Sequence, residues 1–231
     1  MPRTRSLAIV APIVAALISS LAAGTAAIAG DAPFSATTGA LCRAPIAAME
    51  TRHRIPRMML SALSLAESGR WHEGERESFA WPWAVTSGTD TWHFDAKEDA
   101  VAQVRALKAR GVRNIDVGCM QVNLRYHPDA FASIEAAFDP ATNVAYAARY
   151  LMSLNQATRS WSQAIGRYHS ATPERGLAYR RKVEKLWTSE RRRYAAVRRA
   201  EIIAEFERRQ AERDARLAES RRRQGRSSPP A

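Results

Sequence analysis

Three short segments carry side chains that could do chemistry together. The first is Ala62-Leu63-Ser64-Leu65-Ala66-Glu67-Ser68-Gly69, which sets one carboxyl at the end of a greasy run. A carboxyl among apolar neighbours has its charged form disfavoured, which raises its pKa towards that of a general acid at neutral pH. The second is Asp116-Val117-Gly118-Cys119-Met120-Gln121-Val122-Asn123. Gly118 allows close backbone approach, and the amides of Gln121 and Asn123 can read hydroxyl and acetamido groups in a groove. The third is Gly166-Arg167-Tyr168-His169, which can present a phenol at a cleft. Taken singly, each has a plainer reading: an exposed helix-end Glu67, a Met120 that packs rather than contacts, a half-buried core Tyr168.

Their order carries more than any one of them. Glu67-Ser68-Gly69, then Gly118 to Asn123, then Asn143-Val144 with Arg149-Tyr150-Leu151, then Tyr168-His169 resembles the catalytic domain of the soluble lytic transglycosylases, over roughly 42–187. The resemblance implies a mainly α, lysozyme-like fold related to goose-type lysozyme. It places the family's catalytic glutamate on Glu67 and its helix-supporting serine on Ser68. The family's groove-lining Gly-Leu-Met-Gln segment falls on Gly118 to Gln121, with Cys119 in place of Leu, which would also supply a disulfide partner. Its Ala-Tyr-Asn segment falls on Arg167, Tyr168 and His169, keeping the hydroxyl that lies near the glutamate but losing Ala and Asn. The implied contacts to substrate are Ser68, Gly118, Met120, Gln121, Asn123, Tyr168 and His169.

The implied reaction acts on peptidoglycan glycan strands. Glu67 would protonate the oxygen joining N-acetylmuramic acid to N-acetylglucosamine, then take the proton of the muramyl 6-hydroxyl, which closes a 1,6-anhydro ring. Neither metal nor any other cofactor is required. Hydrolysis of the lysozyme type is the nearest rival, and it calls for a second carboxylate. Glu73, Glu75 and Glu77 lie in a polar stretch, and Asp116 reads as ordering its loop. The histidines at 53, 72, 93, 127 and 169 are scattered and form no His-Glu-x-x-His metal pattern. A wall-binding module without catalysis is the alternative from another class, and it has no need of Glu67.

The elements that must position these groups are mostly helical. The pattern predicts helices over 44–53 and 59–68, the second opened by Pro56 and closed by a left-handed Gly69. A hairpin is expected where 77–86 and 91–94 flank Ser87-Gly88-Thr89-Asp90, with Pro82 confining its strand to an edge. Trp81, Trp83 and Trp92 in it suit either a flap over sugar faces or a small satellite core. Asp95 with Glu98 reads as a capping box for a helix through Arg110, ended by Gly111. Further helices are expected near 129–138, 141–157 and 161–169, with a last one from Pro173 past Trp187. The fold class is therefore mainly α, with a small β-hairpin insertion and a charged C-terminal helical tail over 188–231.

The ends set the compartment and the charge. Met1 to Ser6 is a basic stub, Leu7 to Ala23 is apolar, and Ala27-Ile28-Ala29 ends the segment, so 1–29 reads as a cleaved secretory signal. Residues 30–41 read as a flexible lead-in. Export places the protein in the periplasm or outside the cell, leaves no stable membrane span, and permits a disulfide between Cys42 and Cys119, the only two cysteines. Of the net charge of +12, half comes from 13 arginines against seven acids beyond residue 187. The folded part is thus mildly basic and is not a nucleic-acid footprint. The tail reads as a solvated charged helix, disordered from Gly225, with secretion or cell-wall machinery as its candidate partner.

Overall fold

The computed structural model describes residues 36–226; the signal at 1–29, most of the lead-in and the last five residues lie outside them. The described chain is mainly helical. In order it runs α1 (Ala36–Ala40), α2 (Arg43–His53), α3 (Met59–Ser68), β1 (Gly69–His72), β2 (Glu77–Ala80), β3 (Ala84–Ser87), β4 (Asp90–His93) and α4 (Lys97–Ala109). It continues through β5 (Asp116–Val117), β6 (Val122–Asn123), α5 (Ile134–Ala137), α6 (Pro140–Thr158), α7 (Trp161–His169) and α8 (Pro173–Arg226). Part of the expected lead-in is therefore helical, and Gly39 lies there because any larger residue would meet the Phe79 side chain at 2.5 Å.

Two cores organise the helices. The larger joins α2, α3, α6, α7 and the first half of α8 through Ile46, Leu60, Leu63, Val144, Leu151, Ile165 and Val183. The smaller sets α4 and Phe138 against the sheet through Val85, Val104 and Val117. That sheet has the order β4-β3-β5-β6, all antiparallel, with Val85 opposite both Trp92 and Val117 and Val117 opposite Val122. Separately, β1 pairs with β2, Gly69 opposite Ala80. Ser133, Asp139 and Ser160 cap α5, α6 and α7 with their side chains.

Several local expectations change. Helix α3 has the predicted bounds, but Pro56 does not open it: Met58 stands before it in the left-handed region at φ 65°. The cap comes from Glu50 on α2, whose buried carboxylate accepts the backbone N–H groups of Met58, Leu60 and Ser61 at 2.8, 2.9 and 3.2 Å. Those N–H groups otherwise have no partner within a helix, and the negative charge suits the positive end of its dipole. Gly69 is extended rather than left-handed, and it is glycine because a Cβ would lie 2.2 Å from the Leu65 carbonyl oxygen. Residues 77–80 pair with β1, not with the 84–93 hairpin, and β3 is an inner strand preceded by Pro82, so that proline marks no edge. Ala96 takes the N-cap position of α4 and no side chain caps it, so the Asp95–Glu98 box does not form. The helix expected over 129–138 shortens to α5.

The chain shows no boundary at 187, because α8 runs unbroken and packs on α3 beyond it. Glu190 is buried, accepting from Ser61 Oγ at 3.1 Å and pairing with Arg193 at 2.9 Å. Arg193 and Arg43 both reach Glu77, and Arg57 donates to Tyr194. Among the described residues no helix is long and apolar enough to cross a membrane.

Cys42 and Cys119 are joined by a disulfide, buried at both ends, across 77 residues of chain. Loop closure of that length restricts the unfolded chain by about 4 kcal/mol. Replacing both cysteines with alanine is expected to lower the urea-unfolding free energy by roughly that much, read by tryptophan fluorescence. An unchanged midpoint would mean that the bond constrains nothing.

Candidate active site

Gly118 to Gln121 form the turn of the β5–β6 hairpin, in a stretch expected to be an irregular loop. Its shape needs positive φ at both ends, 80° at Gly118 and 44° at Gln121. Gly118 is further required by contact, since a Cβ there would sit 2.4 Å from Asn143 Nδ2. Asn143, fully buried on α6, accepts the Met120 N–H at 2.9 Å and donates to the carbonyls of Val117 and Ala137. Gln121 turns its amide inward, donating to the carbonyls of Ala84 and Gly118 at 3.2 and 3.1 Å. A bent four-residue turn leaves backbone groups unpaired by the ladder, and these amides satisfy them.

Ser68 joins this hairpin to α3. Its hydroxyl donates to the Cys119 carbonyl at 2.7 Å and accepts the Trp81 N–H at 3.0 Å. The residue is buried, as is Met120, so neither of these expected substrate contacts presents its side chain at the surface. Asn123 likewise orders its surroundings: Nδ2 donates to Asn114 and Asp116, and Oδ1 accepts from the backbone of Arg125 and Tyr126. The tryptophans resolve towards a core. Trp81 is fully buried and donates to the Phe94 carbonyl at 2.7 Å, while Trp83 and Trp92 pack on the smaller core.

Glu67 stands in the last turn of α3, where Tyr179 and Lys182 of α8, Tyr168 of α7 and Asp116 of β5 surround its carboxyl. Burial raises its pKa from 4.5 to about 7, and the Asp116 charge adds to the rise. A 2.5 Å hydrogen bond from Tyr179 Oη and the Lys182 charge act the other way. Lys182 Nζ donates to the Ala66 carbonyl at 2.6 Å, at the negative end of the α3 dipole. Burial first, and then the nearby Glu67 charge, push both phenols well above 10, so Tyr168 and Tyr179 remain donors.

The phenol that touches the glutamate is thus Tyr179, not Tyr168, whose hydroxyl donates to the Met120 carbonyl at 3.0 Å and steadies the hairpin. His169 lies flat against Tyr179, ring centroids 4.5 Å apart and planes 5° from parallel. It holds the ring that holds the acid and makes no bond to Glu67. Tyr179 could have been suspected from Tyr179 and Val183, two buried positions four apart on a helix, one carrying a hydroxyl. From Tyr168 an aromatic row continues through Tyr150 at 5.6 Å to His127 at 4.7 Å, and Tyr146 Oη lies 2.8 Å from His127 Nδ1. Among the described residues no group of three or more His, Cys, Asp or Glu side chains could hold a metal ion.

Residues 75–185 match the family model of the transglycosylase SLT domain, consistent with the lytic transglycosylases, which cleave peptidoglycan. The match takes in the 118–121 hairpin, Tyr168 and Tyr179, and starts eight residues after Glu67. No curated protein and no solved structure matches the chain.

A carboxyl whose pKa rises on folding binds its proton more readily folded than unfolded. Its contribution is therefore whole below about 4.5 and is lost as pH rises through about 7. Glu67→Gln, uncharged throughout, is expected to gain stability over the parent as pH rises from 4.5 to 8.5. The gain is about 2 kcal/mol at the upper end once solvent screening of a half-buried residue is allowed for. Denaturant titrations of both proteins at the two pH values measure it, and parallel curves would remove the raised pKa.

Proposed function

With a transglycosylase SLT domain over residues 75–185 as the starting point, we propose that the protein is a lytic transglycosylase whose single acid and base is Glu67. The reading rests on one arrangement: the Glu67 carboxyl at the end of α3, held by the Tyr179 hydroxyl and near Asp116 of β5, where burial raises its pKa to about 7. Protonated, Glu67 donates to the glycosidic oxygen between N-acetylmuramic acid and N-acetylglucosamine, and the bond from that oxygen to muramyl C1 breaks. Glu67, now a carboxylate, accepts the proton of the muramyl 6-hydroxyl as O6 bonds to C1. The glutamate ends as it began, and the product carries a 1,6-anhydro ring. Attack from within one sugar gains from the high effective concentration of a tethered group.

A pKa near 7 suits both halves of this cycle, because the group must give up and take back a proton at similar cost. The Tyr179 bond favours the carboxylate and so moderates the effect of burial. Gly118 and Gln121 form the hairpin wall, with the aromatic row from Tyr168 to His127 offering faces that suit the apolar side of a sugar. Asp116 is the observation that favours hydrolysis instead, as a second carboxylate near enough for its charge to act on Glu67. Its Oδ1 is taken by Asn123 at 2.9 Å, which supports a role in ordering the hairpin. An export signal at 1–29 would bring the domain to its substrate outside the cytoplasm.

Digestion of purified sacculi followed by mass spectrometry is expected to yield anhydromuramyl ends; reducing muramic acid ends alone would establish the hydrolase. Glu67→Gln is expected to lose at least about 100-fold in rate while still sedimenting with sacculi, and an active variant would remove the assignment. Tyr179→Phe takes away the bond that stabilises the carboxylate. Its rate is expected to fall about tenfold, with the alkaline limb of the pH profile displaced upward. A limb displaced downward, or unmoved, would contradict the role given to that phenol.

A further inference from the structure

The distal part of α8 has a face that nothing in the domain covers. Packing of α8 ends near Val197, and the helix continues to Arg226, roughly 44 Å at 1.5 Å per residue. Ile202, Ile203, Phe206 and Leu217 are each 57–61% exposed there. At about 100° per residue these four fall within one arc of about 100°. The charges are sorted around that arc. Arg199 and Arg213 lie within it, with Arg209 and Arg216 at one edge and Arg221 at the other. Glu201, Glu205, Glu212 and Glu219 all point more than about 100° from its centre; Glu207 and Asp214 are the two acids nearer to it. Beyond Val197 the ion pairs among the described residues, Arg198–Glu201, Arg208–Glu205, Arg209–Glu205 and Arg223–Glu219, are all within the helix. Arg199, Arg213, Arg216 and Arg221 pair with no carboxylate among the described residues.

We propose that this part of α8 is an interfacial helix that lies along the surface of an anionic phospholipid bilayer. Isoleucine, phenylalanine and leucine reach the boundary between head groups and acyl chains, Arg199 and Arg213 between them and the arginines at the rim extend to the phosphates, and the glutamate stripe faces water. A purely polyanionic partner would leave the apolar arc unexplained. A second copy, face to face, would bring arginine rims together and place like charges side by side. Among the described residues no helix, this one included, is long and apolar enough to cross the bilayer.

Co-sedimentation of the full chain with vesicles of phosphatidylglycerol and phosphatidylcholine tests this, with pure phosphatidylcholine as comparison and multi-angle light scattering in parallel. The full chain is expected to bind the anionic vesicles, to bind the neutral ones at least tenfold more weakly, and to be released in part by 0.5 M salt (about a 4 Å screening length). Ile202→Asp with Phe206→Asp is expected to lower the bound fraction at least tenfold, with far-ultraviolet dichroism and sacculus digestion unchanged. Binding equal to that of the parent would reduce the contact to charge alone and overturn the insertion of the apolar face. No vesicle binding by the parent, or a dimer that the double variant dissolves, would overturn the proposal outright.

Discussion

Everything in the candidate site depends on one half-buried carboxyl and the hydroxyl that donates to it. Burial alone would hold Glu67 protonated, and full solvation would leave it ionised at neutral pH. The short bond from Tyr179 and the charge of Lys182 set the balance between those limits. That balance is tertiary: the acid comes from the end of α3, its donor from α8 more than a hundred residues later. The helix end must therefore be fixed against two other elements before the chemistry has a place.

Three kinds of interaction do this fixing. Ser68, the residue after the acid, holds the helix end to the hairpin carbonyl of Cys119 and to the backbone of Trp81. The other side of Cys119 is tied to α2 through its sulfur. Asn143 and Tyr168 then take the remaining polar groups of the hairpin. At the far end of α3, Glu50 supplies the charge that its first turn lacks, so the helix is anchored at its start by a side chain from α2 and at its end by its own Ser68. A carboxylate that caps α3 and the carboxyl proposed as the acid lie at opposite ends of one short helix.

Much of this was legible in the sequence. The bounds of α3, the hairpin around Gly88, Gly111 as a helix stop and the bonding of Cys42 to Cys119 followed from local pattern or from counting. So did the glutamate, because an acid ending an apolar helix is visible as a contrast. What could not be read depends on partners distant in the chain. Glu50 looks like an ordinary surface charge on α2 until its N–H partners are brought to it. Tyr179 hides among the apolar positions of a charged helix. Ser68, Met120 and Asn123 were read as substrate contacts, and one-dimensional pattern does not show that Ser68 and Met120 are buried or that the Asn123 amide is bonded within the chain. The pairing of 77–80 with 69–72 was missed because Glu73-Gly74-Glu75-Arg76 reads as an exposed charged stretch, and its one turn former, Gly74, was given no weight.

Tyr179 and Phe206 sit on the same helix, and between Leu177 and Gln224 the sequence has neither glycine nor proline to bend it. Twenty-seven residues at 1.5 Å each separate them by about 40 Å. The helix is thus a ruler with the acid's partner at one mark and an uncovered end at the other. On the proposed reading, whatever holds the far end would set the height of the Glu67 site above it, and a change in that helix's length would move the site without touching any group in it.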